Sequence, residues 1–233
     1  MQSLPRQISG GDASLSGGSV ARQLVWDLPL RLFHWLLAGL IVFSWWSVTY
    51  HHTGWHIWSG CAILTLLIFR LLWGFVGSST ARFSNFLRGP GAVLGYFRGN
   101  WRGIGHNPLG ALSVLALLLA VAVQVGLGLI AEDEDGMFFG PLATKVSVDT
   151  SDKARDIHEL WFYVLLGLIV LHLLAILYYR LRGRELTWPM ITGRAPAEEG
   201  TKPVQRGKWW VALICLAVGI GITRWVIAGA PPF

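Results

Sequence analysis

The chain has 233 residues, of which 53% are hydrophobic and only 14% are charged, and its mean hydropathy is +0.51. A soluble domain carries about a quarter charged residues, so this composition excludes an ordinary soluble protein and indicates one membrane-embedded bundle. The net charge of +6 does not indicate nucleic-acid binding, because long apolar runs separate the basic residues. Cys61 and Cys215 lie within such runs and predict no disulfide framework, and the absence of a CxxCH motif argues against covalently attached haem.

The apolar runs predict an all-α integral membrane protein with five spans, each long enough to cross a hydrocarbon core of about 30 Å. Residues 1–23 are rich in Gly, Ser and Gln and are predicted to form a disordered cytoplasmic tail. The spans are expected at residues 29–50, 55–76, 109–131, 157–179 and 209–228. Residues 195–208 are expected to form a basic linker between a four-helix unit at 24–194 and a fifth helix with a short tail at 209–233.

Two connections between the spans carry further expectations. The segment FSNFLRGPGAVLGYFRG, before the third span, is predicted to form a short amphipathic helix on the membrane surface. The acidic sequence EDEDG follows the third span, and a loop is expected to continue through Asp156.

The distribution of basic residues predicts the orientation. With the N-terminus in the cytoplasm, the cytoplasmic segments hold 15 of the 19 Lys and Arg residues and the opposite side holds 4. Positive charge accumulates on the cytoplasmic side of membrane proteins, so we expect a cytoplasmic N-terminus and a periplasmic C-terminus.

Four histidines within the spans pair by depth. At about 1.5 Å per residue, His34 in the first span and His172 in the fourth lie at one level near the cytoplasmic face. His56 begins the second span and His158 begins the fourth at the outer face. His158 and His172 are fourteen residues apart, so they share one face of one helix at about 100° per residue.

Two imidazoles that face each other across a bundle are what a six-coordinate b-type haem requires, and a haem ligated on both sides has no open position. The pattern therefore predicts that three of the spans hold two b haems, an inner one on His34 and His172 and an outer one on His56 and His158. Arg31, Arg70 and Arg155 are candidate partners for the haem propionates. Gly39, Gly60 and Gly167 are expected to leave room for the macrocycles.

Other interpretations of these histidines remain open at this point. His51 or His52 could replace His56 as the outer ligand, although both fall in a loop. A metal or proton transporter would also place histidines in the membrane, but it would need carboxylates there, and mid-span Asp and Glu are absent.

Several segments resemble the bacterial cytochrome b561 and nickel–iron hydrogenase b-type cytochrome family. The resemblance covers about residues 24–194 and is carried by VWDLPLRLFHW, FRLLWGFVGSSTARFSNFLRGP, GHNPLGALSV and HELWFYVLLGLIVLHLLAILYYRLRGRELTWPMITGR. It implies two b haems on the same four histidines, a bacterial inner-membrane location, and electron transfer between a redox partner and the quinone pool. The relatives also suggest a quinone site at His106, Asn107 and Gly110, whereas the simpler interpretation is that Asn107 and Pro108 begin the third span.

The expected function is thus electron transfer to or from quinone by a subunit with no substrate chemistry of its own. Its partner would be a periplasmic c-type cytochrome, a hydrogenase or a similar redox protein, and a homo-oligomer is compatible with the sequence. The alternative is a stand-alone quinone-reducing oxidoreductase, for example one that oxidises superoxide at the outer haem.

Overall fold

The computed structural model describes residues 22–87, 89–98, 105, 107–196 and 203–231, and eight α-helices lie within these ranges. The helices are α1 Leu28–Thr49, α2 Thr53–Val76, α3 Phe83–Phe86, α4 Pro90–Phe97, α5 Pro108–Ile130, α6 Val148–Leu181, α7 Thr187–Thr192 and α8 Trp209–Ile227. Among the described residues, α1, α2, α5, α6 and α8 are long and apolar enough to cross a membrane. The five predicted spans and the all-helical, membrane-embedded class are therefore confirmed. We call the end of the bundle where α1 begins the inner end and the opposite end the outer end.

The first two long helices form a hairpin whose start and turn are set by local hydrogen bonds. The carboxylate of Asp27 caps α1 by accepting from the backbone N–H of Leu30 at 2.8 Å, and Pro29 lies in the first turn. At the other end of α1, the backbone N–H of His52 donates to the carbonyl of Ser47 at 2.7 Å, and α2 begins one residue later. The tight turn makes α1 and α2 antiparallel neighbours.

The fourth span begins earlier than expected. The prediction placed a loop through Asp156, but α6 is a single helix of 34 residues that starts at Val148. Ser147 caps it, because its hydroxyl oxygen accepts from the backbone N–H of Thr150 at 3.3 Å. Seven of its first nine residues are polar, so hydropathy alone could not reveal them as helix.

The surface connections also differ from the expectations. The segment expected to be one amphipathic helix forms two short ones, α3 and α4, because Pro90 starts a new helix. Arg22 and Gln23, assigned to a disordered tail, lie in a strand β1 (Arg22–Leu24) that pairs antiparallel with β2 (Arg194–Pro196). The other tail residues, 1–21, lie outside the described residues. The paired strands join the start of α1 to the chain that follows α6.

Gly193 makes the approach of these two segments possible. Its φ of +81° is unfavourable for residues with a side chain, and a Cβ there would lie 2.7 Å from the carbonyl oxygen of Trp26. The backbone N–H groups of Val25 and Trp26 donate to the carbonyl oxygen of Gly193 at 2.8 and 3.2 Å. The inner end of the bundle is thereby closed by backbone pairing.

The long helices pack in the order α1, α2, α5, α6, and α8 packs on the outside of α2. One apolar cluster near the inner end joins α1, α2 and α8 through residues that include Phe33, Phe69 and Cys215. A second cluster joins α2, α5 and α6 through Ile63, Val121 and Leu165 among others. Helices α1 and α6 do not form a closely packed pair, so the groove between them is bridged by side chains.

Candidate functional site

The outer histidines meet across the bundle. The ring centroids of His56 on α2 and His158 on α6 lie 5.9 Å apart, and the ring planes are at 88° to each other. Metal–imidazole bonds are about 2 Å long, so two imidazoles bound to opposite sides of one metal have centroids about 6 Å apart. The observed separation matches this requirement.

Backbone carbonyls orient both imidazoles. His56 Nδ1 lies 3.0 Å from the carbonyl oxygen of Ser44, and His158 Nδ1 lies 2.9 Å from that of Gln124. A carbonyl oxygen only accepts, so these contacts favour the tautomer with the proton on Nδ1, which leaves the lone pair on Nε2. This is the arrangement in which a neighbouring carbonyl prepares a histidine to bind a metal. In this structure the Gln124 amide nitrogen lies 3.1 Å from His158 Nε2, within hydrogen-bonding distance of the nitrogen that would bind a metal.

A cavity of about 620 Å³ surrounds the outer pair. Its volume lies within the range of about 300–1,000 Å³ that is typical of cofactor pockets. His56, Gly60, His158 and Phe162 are among its lining residues, and its outer mouth carries charged side chains, namely Glu132, Asp133, Glu134, Asp135, Arg155 and Glu159. The outer pair therefore lies in a space of suitable size beneath an acidic rim.

Glycines provide part of this space. A Cβ on Gly39, Gly60 or Gly167 would meet no atom within 4 Å, so open space adjoins each of them, and Gly60 lines the cavity directly. Gly128 on α5 has a different role, since a Cβ there would lie 3.0 Å from Cε1 of His158. Its missing side chain lets the imidazole lie against α5, a role that the sequence did not indicate.

The inner histidines are close enough to interact electrostatically, and their assignment as one ligand pair stays a prediction. His34 on α1 and His172 on α6 interact in this way across the groove between the two helices. Among the described residues, the buried Nδ1 of His34 has no hydrogen-bond partner. In the outer pair this nitrogen is the one that a backbone carbonyl orients, so His34 lacks the orienting hydrogen bond that His56 and His158 have.

The histidines left as alternatives in the turn lie apart from the outer pair. His51 has a φ of +60° and is exposed, and the ring of His52 packs between Trp46 and Trp55 with centroids 5.7 and 5.6 Å away. His56, by contrast, faces His158 directly. Geometry thus favours His56 as the outer ligand.

The three arginines considered for propionates have different surroundings. Arg31 donates from Nη1 to the carbonyl of Ile191, and its buried Nε has no partner among the described residues. Arg70 is 2% exposed, and neither Nη1 nor Nη2 has a hydrogen-bond partner in the described part of the chain. Arg155 lines the outer cavity but pairs with Asp152 and Asp156 at 3.3 Å each. Of the three, Arg70 has the greatest unmet demand for an anion.

The residues considered for quinone lie at the inner end. Asn107 caps α5, since its side-chain oxygen accepts from the N–H of Gly110 at 2.7 Å, and its amide donates to the hydroxyls of Tyr96 and Tyr179. His106 lies outside the described residues. Burial, followed by the hydrogen bond between the two hydroxyls, raises the pKa of Tyr96 to about 12. Asn107 therefore connects α4, α5 and α6. The sequence did not indicate that Tyr96 and Tyr179 contact Asn107, because neither is its neighbour in the chain.

Histidine pairs of this kind suit haem better than a bare metal ion. Within the described ranges, no group of three or more His, Cys, Asp or Glu side chains could hold a metal ion. A porphyrin supplies four equatorial nitrogens, so two imidazoles complete the coordination of its iron. The spacing of the outer pair and the cavity around it both fit such a group.

The fold defines an integral membrane protein that carries four half-buried histidines on three of its long helices. The model of the family described as prokaryotic cytochrome b561 matches residues 25–193, and the chain belongs to this family. It is thus a membrane b-type cytochrome that binds haem b and takes part in electron transfer. Searches of curated proteins and of solved structures gave no significant match.

Proposed function

We propose that the protein holds two b haems in a four-helix bundle of α1, α2, α5 and α6, and that it passes electrons across the bacterial inner membrane. The observation that carries this proposal is the contact between the His56 and His158 imidazoles across the bundle, and the electrostatic interaction of His34 with His172 supports a second layer. His56 and His158 would hold the outer haem, and His34 and His172 the inner one. When bound, each haem supplies a one-electron centre with no open iron position.

Helix α6 connects the two centres. His158 and His172 are separated by a rise of roughly 21 Å along its axis. The facing side chains of the second apolar cluster, among them Leu165, fill the space between the layers and exclude water. The protein would therefore orient the histidine ligands and exclude water from the space between the two haems. Electron transfer itself would form or break no bond to the protein.

Quinone would exchange electrons at the inner end. Tyr96, Asn107 and Tyr179 gather hydroxyl and amide groups there, and a quinone oxygen needs hydrogen-bond donors of this kind. Gly110 would contribute through its position beside Asn107 rather than through its N–H, which is already bonded. His106 stays part of this proposal on sequence grounds alone.

The acidic rim bears on the partner at the outer end. Carboxylates of Glu132, Asp133, Glu134, Asp135 and Glu159 lie around the cavity mouth, with Arg155 as the opposing charge. Such a surface attracts a redox protein with a basic face, for example a c-type cytochrome, and it disfavours the superoxide anion. The charge distribution therefore favours a periplasmic protein partner over the stand-alone superoxide-oxidising alternative.

The two-layer arrangement can be tested by removing one ligand from each layer. The wild-type protein should contain two b haems per chain by pyridine haemochrome analysis. His34→Ala should remove the inner component, and His158→Ala the outer component, from the reduced-minus-oxidised spectrum. His52→Ala is the matched control and should keep both. Full haem content in both single variants would overturn the ligand assignment.

A second measurement separates a partner-bound subunit from a stand-alone enzyme. A subunit should copurify with another redox protein from native membranes and should reduce quinone only when that protein delivers electrons. Turnover of the isolated protein with superoxide and quinone would favour the alternative instead.

A further inference from the structure

Arg70 is a buried cation, and no anion among the described residues contacts its guanidinium group. Its residue is 2% exposed, and both terminal nitrogens are buried without a hydrogen-bond partner among the described residues. An ionised group buried without a partner costs several kcal/mol, so such a group is retained where something anionic meets it. The guanidinium therefore indicates an adjacent anion.

The position of Arg70 on α2 locates that anion at the inner layer. Arg70 follows His56 by fourteen residues, which is the same spacing as that between His158 and His172 on α6. In the part of α2 between His56 and Arg70, Gly60 and Ile63 line the outer cavity. Ile63 and Leu67 pack against α5 and α6. Arg70 thus continues the interior face of α2 to the inner end.

Phe83 covers Arg70 on the side of the inner loop. The guanidinium carbon lies 4.5 Å from the centroid of the Phe83 ring, which is a cation–π contact. Gly74, one turn further along α2, makes room for the ring, because a Cβ there would lie 2.0 Å from Phe83 Cε2. Screening by water at this site is reduced, and the charge acts more strongly on its neighbours.

Asp27 is the carboxylate that attracts Arg70, but its oxygens already accept other hydrogen bonds. Asp27 attracts Arg70 electrostatically, but its two carboxylate oxygens accept from the N–H of Leu30 and from Trp73 Nε1. No ion pair within 4.0 Å joins Asp27 to Arg70 in the described part of the chain. Arg70 therefore keeps a positive field that Asp27 offsets only from a distance.

Resting on the proposed function, we propose that Arg70 holds a carboxylate of the inner cofactor and that its charge makes the inner centre the more easily reduced of the two. A fixed positive charge favours the state with one more electron, and the carboxylates at the outer mouth have the opposite effect there. A single electron would therefore pass from the outer haem, which is oxidised, to the inner haem, which is reduced. Arg70 gives the pathway its direction.

The test is a spectroscopic redox titration of the purified holoprotein, with the two components assigned from His34→Ala and His158→Ala. Arg70→Gln should lower the midpoint potential of the inner component by at least about 59 mV. For one electron, this shift is a tenfold change in the ratio of reduced to oxidised protein. The outer component should stay unchanged. Arg70→Lys should restore most of the difference, and Arg224→Gln, which removes an exposed arginine from α8, should shift neither component.

The outcomes separate the two proposals. A wild-type protein without two b-type components refutes the proposed function itself. Two components with an unchanged inner potential in Arg70→Gln, or a shift of the outer one, overturns the role of Arg70 alone. If Arg70→Gln loses the inner haem, Arg70→Lys decides: haem retained near the wild-type potential supports the charge, and haem lost overturns it.

Discussion

Gly128 determines how closely the His158 imidazole can approach α5. A Cβ at this position would lie 3.0 Å from Cε1 and 3.3 Å from Nδ1 of that ring. The same nitrogen donates to the carbonyl of Gln124, so any displacement of the ring also lengthens the hydrogen bond that orients it. A single missing methyl group thus protects both the position and the tautomer of the ligand.

We therefore expect Gly128→Ala to weaken the outer haem selectively. The added methyl group should push His158 away from its bonding position and lower the outer component by tens of per cent or more, while the inner component stays. Gly126→Ala is the matched control on the same helix, because a Cβ there meets nothing within 4 Å. Haem-to-protein ratios and component spectra measure the effect, and equal losses in the two variants would contradict the role of Gly128.

The histidines could be identified from sequence, but their surroundings could not. An imidazole in an apolar span is conspicuous, and helix rise alone predicts its depth. Gly128 and the Ser44 carbonyl carry no such signal, because their roles arise only when α5 meets α6 and α1 meets α2. The engagement of Asn107 with two distant tyrosines was hidden for the same reason.

At the scale of elements, the spans were predictable and their polar extensions were not. Hydropathy placed the apolar helices within one or two residues of most observed ends, since the bilayer requires that length of apolar chain. The first turns of α6 are polar, and they are helical because the Ser147 cap and the Arg155–Asp152 pair stabilise them. A hydropathy profile does not detect either interaction. The β1–β2 pairing joins residues far apart in sequence, so local patterns cannot indicate it.

Helix α8 lies outside the segment that the family model matches, yet it packs closely on α2. A Cβ on Gly219 would lie 2.8 Å from the carbonyl oxygen of Thr65, so the two backbones nearly touch there. Nearby, the hydroxyl of Thr65 donates to that of Thr223 at 2.8 Å. Small residues and hydroxyl pairs are what holds helices together within a bilayer.

Gly219→Ala should therefore loosen α8 without changing the haems. Overpacking costs about 1–3 kcal/mol, which exceeds the gain of about 1 kcal/mol that alanine brings to a helix. Gly221→Ala, where a Cβ meets nothing within 4 Å, gains helix propensity alone and is the control. Thermal unfolding in detergent should show a lower Tm for Gly219→Ala than for Gly221→Ala, with identical spectra; equal Tm values would argue against this contact.

For the molecule as a whole, charge is unevenly distributed between the two ends. The acidic residues Glu132–Asp135 and most of the carboxylates in the first turns of α6 lie at the outer end, although the chain carries +6 overall. Arginines are concentrated at the inner end, where α6 ends and α7 follows. This asymmetry predicts both the orientation in the membrane and the sign of the surface that each end presents.

Reporter fusions should confirm this orientation. Alkaline phosphatase fused after residue 231 should be active, because it would lie in the periplasm beyond α8. The same reporter fused after residue 208, before α8, should be inactive in the cytoplasm. Equal activity at the two positions would show that α8 does not cross the membrane.

The length of α6 has a mechanical consequence. At 1.5 Å per residue its 34 residues measure about 50 Å, against roughly 30 Å of hydrocarbon core, so its polar N-terminal turns extend beyond the bilayer. A protein docked on those turns holds one end of the rigid rod that carries both His158 and His172. Thermodynamic linkage makes the two effects reciprocal. If docking shifts the reduction potential of a haem, then reduction of that haem changes the affinity for the docked protein by the same factor. One helix can thus couple the delivery of an electron to the release of the protein that brought it.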